Sequence, residues 1–337
     1  MNAFFRTKRT KIIGLLIFFI ICLLSMISSI MFGLSTYSLS TVIEAYNHFN
    51  GSNEHLIIKS TRVPRALIAA AVGASLAVAG ALMQAVTRNP LASPSLFGVN
   101  AGAAFLIVLS VSYMEAATQN IPFVWIAFVG AGASAIIVYV LGSLGRDGMT
   151  PVKITLAGAA VTAFFSSLTQ GILLTNGKAF DQVLVWLVGS VANRDLQMLI
   201  TVAPYIAVAL IGALILSPHI NVLAMGDDVA KGLGQRTAFI KLGAAVVVIV
   251  LAGGSVAAAG PIVFVGIIIP HIARFLVGPD HRWMIPYCAV LGALLLLTAD
   301  IGARFIVMPK EVPVGVVTAL IGVPFFVYIA RKGVERK

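Results

Sequence analysis

The residues able to do chemistry are few in this chain, and most of them stand outside its apolar stretches. Among 337 residues there are twelve Asp and Glu, five His and two Cys. Cys22 and Cys288 both sit inside apolar runs, which excludes a disulfide framework and a Cys-based metal site. No nucleophile–base pair and no paired carboxylates stand at catalytic spacing, so no catalytic residue is expected. No G-x-x-x-x-G-K-[ST] occurs, so the chain has no ATP-binding loop of its own. His271 follows Pro270 and has no second His or carboxylate at ligand spacing, which makes it a structural histidine at a helix break. Two groups remain. Arg62, Arg65 and Arg304 border apolar segments, and a guanidinium is a rigid fork that binds carboxylates bidentately. Asp227 and Asp228 lie between Gly226 and the pair Gly232 and Gly234, where either Asp could cap a short helix running to Leu233.

The elements that carry these groups follow from composition. Residues of the AVILMFWYC set make up 59% and charged residues 10%, against roughly 25% charged in soluble chains. Mean hydropathy is +1.02. A soluble enzyme, a disordered tail and a nucleic-acid binder are all excluded by so few charges. A membrane-spanning helix needs about 20 mostly apolar residues. Segments of that kind are 12–32, 66–86, 96–112, 121–142, 154–175, 198–217, 238–259, 262–277, 284–307 and 313–330, with the short eighth a candidate re-entrant piece. The first follows Arg6, Lys8, Arg9 and Lys11, is too long for a signal peptide and has no cleavage site after it, so it reads as an uncleaved span.

With the N-terminus inside and strict alternation, sixteen of the 23 Lys and Arg fall inside, Arg146, Arg336 and Lys337 among them. Seven fall outside, namely Lys59, Arg62, Arg65, Lys178, Arg194, Arg304 and Lys310. This bias predicts an N-in, C-in topology and gives the net charge of +11 a membrane meaning. Arg62, Arg65 and Arg304 break the trend, either as anchors that snorkel to the interface or as docking groups.

Residues 73–98 align without gaps to 253–278, with eight identities in 26, among them Gly80 with Gly260, Pro90 with Pro270 and Gly98 with Gly278. Copies separated by five spans run in opposite directions, as in the inverted repeats of transporters. Carboxylates are nearly all in loops, Glu115 for example, and Asp300 lies near the end of its span. An ion-coupled carrier keeps ionisable groups at mid-membrane. A stand-alone secondary carrier is therefore the weaker alternative, and the energy source is assigned to a partner.

Several segments are specific when taken in order. They are Arg62-Val63-Pro64-Arg65; Gly80-Ala81-Leu82-Met83-Gln84 followed by Arg88-Asn89-Pro90-Leu91; and Trp186-Leu187-Val188-Gly189-Ser190. Then come Leu223 to Gly234, Gly260-Pro261-Ile262-Val263-Phe264-Val265-Gly266, Asp300-Ile301-Gly302-Ala303-Arg304 and Glu311-Val312-Pro313-Val314-Gly315. From about residue 60 to 330 this resembles the FecCD-type permeases of bacterial ABC importers, a family that carries iron–siderophore complexes, haem and cobalamin.

The resemblance implies an all-α polytopic membrane protein with about ten spans and a single permease domain. Its repeat halves would be about 62–175 and 238–330, with a cytoplasmic coupling segment at 218–237. It implies a second permease subunit, identical or sister, two cytoplasmic ATPase subunits that hold ATP and Mg, and an extracytoplasmic binding protein. No cofactor is expected in this chain. Gly226, Asp227, Asp228, Ala230, Leu233 and Gly234 fall on the coupling helix, which fits a groove on the ATPase, and Val229 and Leu233 would share its docking face. Arg62, Arg65 and Arg304 fall on the partners of Glu residues on the binding protein. Asn89, Pro90 and Leu91 border the inner gate. Thr162, Ser166 and Gln170 on the fifth span and Thr318 on the tenth line the pathway, unless those hydroxyls bond their own helices.

Overall fold

Long apolar runs interrupted by glycine and proline have one way to satisfy their backbone in lipid, which is to form helices. The computed structural model shows such a bundle. It describes residues 3–113, 123–144, 150–177, 183–184 and 186–334. Glu115, Arg146, Lys178, Arg336 and Lys337 lie outside the described residues, as do Ile121 and Pro122 at the start of the fourth expected span.

The helices are α1 (Lys8–Met31), α2 (Leu39–Asn47), α3 (Asn53–Ile57), α4 (Val63–Thr87), α5 (Val99–Tyr113), α6 (Phe123–Ser143) and α7 (Pro151–Thr175). They continue as α8 (Leu196–Ala224), α9 (Asp227–Gly232), α10 (Thr237–Ala259), α11 (Val265–Val277), α12 (His281–Ala303) and α13 (Val314–Val334). A π turn, Ile58–Arg62, joins α3 to α4. Among the described residues, seven helices are long and apolar enough to cross a membrane, and Val99–Tyr113, Val265–Val277 and Val314–Ile329 are shorter apolar helices. Each of these falls on one of the ten segments expected from hydropathy.

Two boundaries differ from expectation. The sixth apolar segment does not stop at Ser217-Pro218; α8 runs on through Pro218 to Ala224. Ser217 Oγ donates to Leu214 O at 2.8 Å, one of the local side-chain bonds with which apolar helices tolerate proline. The second boundary lies within the aligned segments 73–98 and 253–278. There α10 stops at Gly260, whose φ is +74°, whereas α4 continues through Gly80.

α4 is the axis of the bundle, buried along most of its length and packed against α12, α10, α8 and α11. Glycine sets the spacing. A Cβ on Gly73 would strike the carbonyl of Gly292 on α12, and one on Gly80 would strike that of Gly266 on α11. Helices in lipid gain their association from such close backbone approach. The periphery is apolar as well, with Ile13, Leu16 and Ile20 of α1 and Val208, Ile211 and Ile215 of α8 exposed, as a lipid-facing surface requires.

Candidate sites at the two ends of the bundle

One end of the bundle holds the start of α1 and α12 and the finish of α4, α8 and α11. There the Phe4 and Phe5 amides donate to the carbonyls of Phe275 and Leu276, and Tyr287 Oη donates to Lys11 O. This is the proximal end; the other, where α1 and α12 finish and α4 begins, is the distal end.

At the distal end the three arginines converge. Arg62 and Arg65 are three residues apart at the entry to α4, and Asp300 and Arg304 four apart at the exit of α12, so each pair shares a helix face. Arg65 grips Asp300 through Nε and Nη2 at 2.8–3.1 Å and turns Nη1 to Glu311. Arg304 takes the second oxygen of Asp300 with Nη2. Its Nη1 donates to Ser29 O at 2.6 Å and Phe32 O at 2.7 Å. Arg62 donates to Phe32 O at 3.0 Å and Ser35 O at 3.1 Å, with its guanidinium over the Tyr37 ring.

Carbonyls at a helix end lack helical donors; here the arginines serve Ser29 O and the cap residue's Phe32 O, while Met31 O accepts the Tyr37 amide. Gly33 leaves the space, since a Cβ there would collide with the Arg62 guanidinium. The exposures of Arg62, Arg65 and Arg304 are 6%, 5% and 0%. Binding-protein docking was expected of all three. Their donors are directed inward, because the nearest acceptors are Asp300, Glu311 and the frayed end of α1.

At the proximal end the glycine-framed segment forms α9, six residues long. Its N-cap position is Gly226, φ +128°, with no side-chain cap, so neither Asp227 nor Asp228 caps it as expected. The Asp227 carboxylate is engaged elsewhere. Its Oδ1 accepts from Arg88 Nη2 and its Oδ2 from Lys241 Nζ, both at 2.6 Å. Partial burial by itself would raise the Asp227 pKa, but Lys241 and Arg88 outweigh it and hold the carboxyl below its ordinary value. Asp228 is exposed, Ala230 is buried against the bundle, and Gly234 closes the segment at φ +76°. Val229 on α9 and Leu233 at its C-cap are exposed, as are Met225 and Phe239 on its flanks.

Directly after α4, Arg88 adopts φ +50° and the chain turns. Asn89 Oδ1 accepts the Leu91 amide at 3.0 Å, and Asn89 O accepts the Ala92 amide at 3.1 Å, so Asn89, Pro90 and Leu91 form one compact turn. On α7, Ser167 and Gln170 are exposed, and Ser166 is half-buried. Thr162 lines an open groove with Ser95, Gly158, Ala159 and Ala163. Thr169 and Thr318 are buried and donate to Phe165 O and Gly315 O of their own helices. α7 thus presents polar side chains, whereas the Thr318 hydroxyl is spent within α13. His271 Nδ1 lies 3.2 Å from Ile267 O and its ring stands edge-on to Phe325.

Sequence reading kept three motifs apart that the fold joins. Gly189, φ +78°, receives the Gly315 amide on its carbonyl at 3.0 Å, while the Ser190 amide donates to Ala259 O at 2.8 Å. A Cβ on Gly260 would strike Trp186 O. The glycines at 189, 260 and 315 were the only sequence signal of this junction.

A helical bundle with an apolar periphery, a buried charge network at one end and a short docking-sized helix at the other defines a multi-pass membrane transport subunit. The chain belongs to the FecCD transport family, which it matches over residues 20–332. It is 56% identical over 97% of its length to a Bacillus subtilis protein described as "Probable siderophore transport system permease protein YfiZ", covering 98% of that protein. It is 45% identical to the B. subtilis Fe(3+)-citrate import system permease protein YfmD, with 97% of each chain covered. It is 41% identical to the Escherichia coli ferric enterobactin transport system permease protein FepD, over 97% of this chain and 96% of that one. A solved inward-facing metal-chelate-type ABC transporter superposes with a TM-score of 0.81 at 27% identity, covering 94% of this chain and 98% of the other. The chain is accordingly the membrane permease subunit of a bacterial ABC importer, and not an enzyme itself.

Proposed function

We propose that the cargo is an iron–siderophore or related ferric chelate, since the relatives above are described for a siderophore, ferric citrate and ferric enterobactin. The chain acts with a second permease subunit, two ATPase subunits that bind ATP and Mg, and an extracytoplasmic binding protein. The proximal end faces the cytoplasm, and the ten apolar helices cross as an N-in, C-in set in two inverted halves, about 62–175 and 238–330. The excess of Lys and Arg supports this orientation.

The observation that carries the mechanism is the exposure of four apolar residues in and around α9, Met225, Val229, Leu233 and Phe239, with Ala230 buried. A short helix with an apolar face suits insertion into a groove on an ATPase subunit. Closure and separation of the ATPases then shift the permease between outward- and inward-open states. Asn89, Pro90 and Leu91 form the inner gate, and Thr162, Ser166 and Gln170 of α7 wet the pathway. The three arginines serve docking indirectly. They brace the rim on which Phe305, Ile306, Val307 and Met308 stand exposed, and this rim receives the binding protein.

The test is Leu233→Asp in the co-expressed complex. Loss of ATPase co-purification and of chelate uptake, with normal membrane insertion, is expected. Retained assembly and uptake would remove the coupling role from α9.

A further inference from the structure

We propose that Arg88 is a positioning residue that links α9 to the Asn89–Leu91 turn, with Asp227 as its partner and Lys241 as the anchor. This rests on the reading of α9 as the coupling helix and names how its movement reaches the gate.

The geometry gives one carboxylate to two cations from two different helices. Asp227, the first residue of α9, accepts Arg88 on one oxygen and Lys241 on the other. Arg88 Nη2 also reaches Leu223 O, near the end of α8, at 3.5 Å. The end of α4, the end of α8, the start of α9 and the N-terminal part of α10 are therefore joined through the Arg88, Asp227 and Lys241 side chains. Arg88 is bound on its other side by the chain itself, since the next residue is Asn89. The Asn89 turn closes on its own two hydrogen bonds, so displacement of the Arg88 backbone carries Leu91 with it.

α9 is built to move as a unit. Glycines at positive φ, Gly226 and Gly234, bound it, and Ala230 is the buried residue of the helix. Arg88 is a non-glycine residue at φ +50°, a conformation few such residues adopt and one held by its surroundings. The Arg88 and Asp227 side chains are 41% and 34% exposed. Ion pairs that open to solvent contribute little to stability and can be remade at small cost. That suits a link which must change length during a cycle, and it separates the proposed role from a purely structural one.

The experiment uses the permease reconstituted in proteoliposomes with its ATPase subunits and binding protein, scored by chelate uptake per ATP hydrolysed. Arg88→Gln is expected to assemble with the ATPases yet to lower uptake per ATP by about fivefold or more, the lower range of coupling between linked sites. Arg88→Lys recovers most of the loss. Adding Asp227→Asn to Arg88→Gln lowers the ratio no further than the worse single change, because both break one link. Labelling of a Leu91→Cys thiol loses its dependence on nucleotide in Arg88→Gln. Unchanged uptake per ATP in an assembled Arg88→Gln complex, or fully additive losses in the double variant, overturns the link. Should Arg88→Gln fail to assemble, Arg88→Met with Asp227 and Lys241 intact decides. Lowered uptake per ATP in the assembled complex supports the link and unchanged uptake overturns it. Leu233→Asp separates the two levels. If it leaves the ATPases bound, the coupling reading itself fails; if it releases them while Arg88→Gln is silent, only the link fails.

Discussion

Both ends of the bundle use the same pairing, one aspartate between two cations, and they use it in opposite surroundings. At the distal end Asp300 is 1% exposed and lies between Arg65 and Arg304, themselves 5% and 0% exposed. At the proximal end Asp227 lies between Arg88 and Lys241 with about a third of its side chain open to solvent. Buried charges that lose a partner are costly, whereas open pairs are worth little. The difference shows which end is fixed. The distal network holds α1, α4, α12 and the 304–312 turn together, and the proximal one permits rearrangement.

The strongest attack on this contrast is at the distal end. Asp300→Ala leaves two buried guanidinium groups without their shared carboxylate. It should lower stability by about 3–5 kcal/mol, read as a fall in the unfolding midpoint or a loss of folded protein in detergent. A change under about 1 kcal/mol would show that the network is no clamp. Next comes the connection between the ends. Gly292→Val forces a side chain against the Gly73 carbonyl. The expected cost is about 1–3 kcal/mol, and wild-type stability would mean that α4 and α12 are free to part.

At the proximal end Lys241→Gln should shift stability by less than about 1 kcal/mol, while the ATPase-coupled uptake of the same complex declines. The smallest effect concerns pH. The Asp227 pKa is depressed in the folded chain. A depressed carboxyl contributes stability above its unfolded pKa and loses it as pH falls through the folded value, which lies below 3.8. Titration of Asp227 should therefore leave coupling flat from about pH 5 to about pH 8. A step in that range abolished by Asp227→Asn would contradict the pairing.

Much of the fold was legible because apolar runs are long and their ends are marked. The six residues of α9 were bounded correctly by Gly226 and Gly234 to within one position. Pro218 misled, since proline ends helices in water, whereas the interior of this bundle carries α8 through it. The three arginines stood out as exceptions to the charge bias, but their direction did not. Whether a guanidinium turns to solvent or inward depends on acceptors brought close by folding, and Arg65 finds Asp300 across 235 residues of chain. The pairing of Arg88 with Asp227, 139 residues apart, was hidden for the same reason.

That separation of 235 residues has a consequence for how the protein is made. At about 5–20 residues per second, N-terminal part first, α4 leaves the ribosome roughly 10–50 s before Asp300 exists. Throughout that interval Arg65 has neither of its carboxylates, and the carbonyls of α1 lack Arg304. The end of the molecule that is firmest when complete is thus the last to be secured, and the newborn chain must wait for its final quarter before the first helix is fastened.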